Sequence, residues 1–120
     1  MKIAVTSRGP GLASAVDPRF GRAAGFVVVD TDTGEAKYVD NTQNVNAAQG
    51  AGIQAGQKVS ELGVEYLVTG HCGPNAFRAL SAAGLKVVVG ASGTVSEAVE
   101  ALKSGKLKPT GGPDVEGHWT

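Results

Sequence analysis

His71 and Cys72 stand together in TGHCGPNA, residues 69 to 76, and are the side chains in this chain best suited to nucleophilic or soft-metal chemistry. Cys72 is the only cysteine. A catalytic thiol needs a base at hand. On an extended backbone His71 and Cys72 leave opposite faces, and His118 lies in the tail, so a Cys-His dyad has no support and no catalytic residue is assigned. Placement beside a helix start still lowers a thiol pKa, and a cysteine is equally at home as a small apolar core residue. One Cys and two His cannot supply the roughly four soft ligands of a protein-built zinc or iron-sulfur site. A soft metal centre would have to bring its own ligands. A sulfide-rich anionic cluster meets that condition, with Cys72 or His71 as an additional ligand or a neighbour.

Arginine placement gives the second signal. Of the four arginines, Arg8, Arg19 and Arg22 fall within residues 7 to 22, a stretch with one acid, Asp17. Guanidinium forks and glycine amides suit an anion with several acceptor atoms, and a helix opening at Gly73, Pro74 and Asn75 adds partial positive charge. The plainer alternative is that Asp17 pairs with one arginine while the others are solvated. The candidate contacts are Ser7, Arg8, Gly9, Arg19, Phe20, Gly21 and Arg22 on one segment, and Gly70, His71, Cys72, Gly73 and Asn75 on the other. Cys72 and His71 are the candidate metal contacts.

These residues belong to a chain of 120, long enough to bury one core without disulfides. Lysine plus arginine balance aspartate plus glutamate at 11 each, so no global field recruits nucleic acid or an anionic membrane. No apolar run approaches the length of a membrane span, and MKIAVTSRG has no signal-peptide core, which reads as cytoplasmic. Glycine, at 18 residues, is about twice its average share, so the backbone must turn tightly or approach something closely at many points.

The elements that position the candidates follow from pattern. Residues 2 to 6 form a β-branched strand, and residues 7 to 22 are too rich in Gly and Pro for a helix. GFVVVD and EAKYVD, separated by Thr31, Asp32, Thr33 and Gly34, predict a hairpin over 24 to 40. Asn46 and Gln49 could cap a helix running to Leu62, although Gly50, Gly52 and Gly56 each weaken it by up to about 1 kcal/mol. Strands over 64 to 70 and 85 to 90 then alternate with helices over 74 to 84 and 94 to 105. Pro74 at N1, a Thr94/Glu97 capping box, and Gly84 and Gly105 past the helix ends mark their limits. Residues 1 to 108 form one domain, and 109 to 120 an irregular tail.

The order βββαβαβα implies an α/β fold with a mixed five-stranded sheet, strand 1 central between strands 2 and 4. Ligands in such sheets bind beyond the carboxyl ends of the strands, where residues 7 to 22 face residues 70 to 74. Divalent-metal nuclease chemistry is excluded, because strand 1 carries no acid and Asp30, Asp32 and Asp40 belong to the hairpin. SRGPG lacks the Lys-Ser/Thr pair of a P-loop.

From MKIAVTS through DPRFGRAAGFVVVD, GAGIQAGQ, GVEYLVTGHCGPNAFRAL, GLKVVV and TVSEAVEAL to GGPDVEGHW, the chain resembles the dinitrogenase iron-molybdenum cofactor-binding family, which includes NifX, NafY and the C-terminal part of NifB. The resemblance implies a ribonuclease H-like three-layer fold. It also implies a non-catalytic carrier of a preassembled metal-sulfur cluster: molybdenum-copper sulfide as in stand-alone members, or an iron-molybdenum or iron-sulfur cluster. Mrp/MinD-like ATPases are the partners it implies, which leaves a cofactor-free adaptor of such an ATPase as the alternative. Many members have a histidine where this chain has Arg19, before Phe20-Gly21-Arg22, so histidine ligation is not available there.

Overall fold

A computed structural model describes residues 1–41 and 51–111. The expected cap at Asn46 and Gln49, and the tail from residue 112 with His118, lie outside the described residues. Among the described residues five strands and three helices follow in the expected order: β1 (Lys2–Ser7), β2 (Gly25–Asp30), β3 (Ala36–Asp40), α1 (Ala51–Ser60), β4 (Tyr66–Val68), α2 (Pro74–Ala82), β5 (Lys86–Val88) and α3 (Val95–Lys103). The sheet order is β3-β2-β1-β4-β5, with β1 antiparallel to β2 and parallel to β4. The central place predicted for β1 is therefore the one observed. Among the described residues no helix is long and apolar enough to cross a membrane.

Side-chain alternation along the central strands builds two cores. Ala4, Phe26, Leu67 and Val87 point to one face, where Ala55 and Val59 of α1 and Ala76 and Leu80 of α2 cover them. Ile3, Val5, Val27, Val68 and Val88 point to the other, under Val95, Ala98 and Val99 of α3. Full burial of a side chain such as Phe26 or Leu67 contributes about 1.5–3 kcal/mol. The two faces lock the register, since a slip by one residue would carry each of these side chains into the opposite core, whose space is shaped for others.

Local chemistry sets the helix limits. Pro74 occupies the first turn of α2, and Thr94 and Glu97 form a reciprocal capping box at 3.0 and 3.2 Å that starts α3. Of the glycines expected to weaken α1, Gly56 meets α2: a Cβ there would lie 3.0 Å from the Cβ of Ala79, so its absence lets the two helices close up. Both β4 and β5 are shorter than the seven- and six-residue runs the sequence suggests. Beyond Val68 the chain bends at Gly70, and its bonds go to loops as well as to its neighbouring strand: Thr69 N–H donates to Val88 O at 2.9 Å, and Gly70 O accepts from Gly90 N–H at 2.9 Å.

Candidate functional site

The carboxyl ends of β1 and β4 lie side by side, and buried hydroxyls tie them. Thr6 and Thr69, both fully buried, share a hydrogen bond of 2.9 Å. Thr6 Oγ1 also donates to Asp17 O at 2.7 Å, and Asp17 N–H returns a bond to Thr6 O at 2.9 Å. The segment leaving β1 is thus fastened to the strand end it came from. None of the described buried side-chain polar atoms lacks a partner.

That segment has two halves with different neighbours. In the first, Ser7 pairs with Val16, Arg8 N–H donates to Ala15 O at 3.0 Å, and Ala15 pairs with Thr94. Val16 N–H donates to Gly93 O at 2.9 Å and Val95 N–H to Ser14 O at 2.9 Å, so this half is stitched to the start of α3. Ser7 itself is buried, its hydroxyl donating to Gly9 O. In the second half, Arg19 pairs in parallel with His71: His71 N–H donates to Pro18 O at 2.7 Å and Phe20 N–H to His71 O at 3.2 Å. The facing of the two loops expected from strand order is present, but only this half of the long loop provides it. Arg8 is held in the α3 half, apart from the pairing that joins Arg19 to His71.

Alternation sorts the four central side chains. Paired residues of a parallel bridge project to the same side, so Arg19 and His71 emerge together, and both are exposed. Phe20 and Cys72, one residue further along each segment, turn inward and are each 1% exposed in the core that contains Phe26, Leu67 and Leu80. Phe20 and Phe26 pack with ring centroids 5.8 Å apart. The thiol of Cys72 donates a long contact of 3.7 Å to Gly73 O. Cys72 is therefore part of the floor under the site rather than of its exposed rim. Gly70 permits the approach, because a Cβ there would stand 2.8 Å from both Cα and O of Pro18.

The remaining candidates complete the rim. Gly21 is buried and Arg22 half-buried; Gly73 is the N-cap of α2, with Pro74 in the first turn and Asn75 exposed after it. No side chain caps α2, so its positive N-terminal end faces this edge with main-chain donors alone. The Asp17 carboxylate is engaged by main-chain N–H groups, Arg19 N at 3.2 Å and Ala24 N at 3.3 Å. Such an edge can hold an anion through charge and amide hydrogen bonds. As a ligand set for a bare metal ion it does not serve, for among the described residues no group of three His, Cys, Asp or Glu side chains is placed to hold one. A hollow of about 440 Å³ along α3, on the other face of the sheet, is lined by Ser96, Glu97, Glu100, Ala101, Ser104 and Lys106 and carries two acids against one lysine.

Sequence reasoning passed over two residues here. Asp17 looked like an ion-pair partner, whereas its oxygens hold main-chain amides. Asn41, directly after β3, is fully buried and donates from Nδ2 to Ala23 O at 2.9 Å and from its N–H to Ala24 O at 2.9 Å. The available signal was an Asx residue at a strand end and another two residues before the Arg19 position, both habitual makers of side-chain to backbone bonds.

Comparison with known proteins places the chain among its relatives. The family described as dinitrogenase iron-molybdenum cofactor matches residues 1–105. The apo form of the orange protein (ORP) from Desulfovibrio gigas is 50% identical, over 95% of this chain and 96% of that one, with a TM-score of 0.93. A Thermotoga protein provisionally named NifB is 41% identical over 90% of this chain and 91% of its own, with a TM-score of 0.78. An uncharacterized protein of Methanocaldococcus jannaschii is 26% identical over 95 residues, 78% of this chain and 80% of the relative. With the match spanning the described sheet, both loops of the site and helices α1 to α3, the chain belongs to the dinitrogenase iron-molybdenum cofactor family.

Proposed function

We propose that the chain is a non-catalytic carrier of a preassembled anionic metal-sulfur cluster, of molybdenum-copper sulfide or iron-molybdenum type, seated at the carboxyl ends of β1 and β4. The observation that carries this reading is the Arg19–His71 pairing beside the N-terminus of α2, which no side chain caps: donors suited to a polyanion lie there, and among the described residues no ligand set for a bare metal does. Family membership and half-identity to the orange protein support it.

In this reading Arg19 and Arg22 supply charge and forked N–H donors, and the start of α2 at Gly73 supplies main-chain N–H to the cluster sulfurs, while the His71 N–H stays on Pro18 O. His71 is the exposed soft donor of the rim. Cys72 and Phe20 hold the turn by packing beneath it. A carrier of this kind adds no bond-making step: it binds the intact cluster, shields it and releases it. Binding through charge also implies weakening with salt.

Purified protein is incubated with tetrathiomolybdate and copper, or with iron and sulfide, then desalted and examined by visible absorption and metal analysis. A coloured protein with stoichiometric metal is the expected result, and Arg19→Ala should retain markedly less. Colourless, metal-free protein after every treatment would overturn the reading.

A further inference from the structure

Asp17 is the one acid in the arginine-bearing segment, and a carboxylate there opposes an incoming anion. Its hydrogen bonds show what offsets that repulsion. Oδ1 accepts from Arg19 N–H and Oδ2 from Ala24 N–H, at the two ends of the 19–24 turn that carries both Arg19 and Arg22. Asp17 is itself pinned through its own N–H and C=O to Thr6 at the end of β1. From the opposite side the buried Asn41 holds Ala23 O with its amide and Ala24 O with its N–H. Within the turn, Ala23 N–H donates to Phe20 O at 3.3 Å.

We infer that Asp17 and Asn41 are positioning residues of the candidate site, a two-sided clamp that holds the 19–24 turn in its binding shape before any anion arrives. The inference rests on the carrier reading. Its physical content is preorganisation: arginines on an already ordered turn lose less conformational freedom when they engage a ligand. Neither side chain needs to touch the anion.

Asp17→Asn separates the clamp from mere charge, because the two make opposite predictions. Removal of a bystander negative charge would tighten anion binding. Loss of a clamp weakens it, and the geometry says where the loss falls. Asparagine keeps an oxygen for Arg19 N–H, but its NH₂ group then faces Ala24 N–H, donor against donor. Asp17→Glu keeps the charge and displaces the carboxylate by a methylene, so it should weaken binding too.

Two measurements on the full chain test this. Amide hydrogen exchange of the metal-free proteins reads the clamp directly, with Val27 in the central sheet as the reference for intact folding. Equilibrium dialysis with tetrathiomolybdate alone reads the anion. The expected result for Asp17→Asn is exchange at Ala24 faster by tenfold or more, Val27 unchanged, and at least fivefold weaker binding. Asn41→Ser should likewise speed exchange around the turn and weaken binding. Tighter or unchanged anion binding in Asp17→Asn overturns the inference, as does unchanged exchange at Ala24. Should Asp17→Asn lose its Val27 protection, Asp17→Glu decides by the same criteria. If the wild-type protein itself binds no tetrathiomolybdate, the carrier reading loses this support, and the exchange rates alone judge whether the clamp exists.

Discussion

Arg19 and His71 are joined by a two-bond parallel bridge, with His71 N–H on Pro18 O at 2.7 Å and Phe20 N–H on His71 O at 3.2 Å, so that a guanidinium and an imidazole emerge side by side. Charge-assisted hydrogen bonds from such a group contribute about 1.5–3 kcal/mol, so Arg19→Ala should weaken cluster uptake roughly tenfold or more. Titration of the wild-type and variant proteins with tetrathiomolybdate, followed in the visible, gives the ratio. Equal affinity would remove Arg19 from the site.

The bridge depends on the missing side chain of Gly70. A Cβ at Gly70 meets Pro18 main-chain atoms at 2.8 Å, and backbone cannot swing aside as a flexible side chain can. Gly70→Ala should destabilise the fold by about 1–3 kcal/mol and abolish most cluster uptake, as the two loops part. Gly34→Ala is the control: with φ at +78° and open space around it, it costs about 1–2 kcal/mol of backbone strain and leaves uptake intact. Thermal melts and uptake measured on both variants distinguish local separation of the loops from general loss of stability.

Cys72, 1% exposed beneath the rim, should react slowly with a thiol reagent in the native protein and rapidly in denaturant. Cys72→Ala should retain cluster binding while losing about 1–2 kcal/mol of packing, visible as a melting temperature lower by about 4 °C for each kcal/mol. Loss of binding by a well-folded Cys72→Ala protein would make the thiol a ligand.

Asp30 opens the hairpin turn, and the N–H of Asp32 at 2.9 Å, with that of Thr33, holds its carboxyl below the ordinary value of 3.8 against a weaker opposing effect of desolvation. A depressed pKa adds stability above the unfolded value that is lost as pH falls through the folded one. Asparagine keeps an acceptor for the turn but does not titrate. The melting-temperature gap between wild type and Asp30→Asn should therefore be present at pH 6 and shrink below pH 3.8. A gap unchanged down to the lowest pH would mean that Asp30 stabilises nothing by its charge. At the alkaline end burial, and secondarily Asp40, raise the Tyr38 pKa, so its contribution is present below pH 10.0 and fades above it.

Strand order and helix limits were legible because each rested on local chemistry: β-branched alternation in β1 and β2, Pro74 at a helix start, Thr94 with Glu97. The outer ends of β4 and β5 were not, because nothing in Thr69 or Gly70 marks a strand end, while their backbone bonds go to the Val88 to Ala91 stretch. At the site, the meeting of the two loops followed from topology. Composition could not show that the long loop would split, sending Arg8 towards α3 and Arg19 to His71, since both arginines sit among similar glycines and prolines. The inward turn of Cys72 was readable as a conditional, true if the strand persisted past Gly70. The strand ends at Val68, and the isolated bridge of His71 to Arg19 is what restores the alternation that turns Cys72 inward. Asp17 and Asn41 act through main-chain atoms of segments distant in sequence or hidden in a loop, and no residue pattern announces such partners.

The antiparallel pairing of β1 with β2 sets Lys2 opposite Asp30 and Ser7 opposite Gly25, which puts the 31–35 turn at the far pole of the sheet from the arginines. Six residues of extended β1 separate the two by about 20 Å. Glu35, exposed in that turn, is a natural point for attaching a surface or a fluorophore. The sheet then serves as a rigid spacer, so a protein tethered at that turn presents its arginine edge unobstructed, and a dye placed there reports cluster arrival through energy transfer without crowding it.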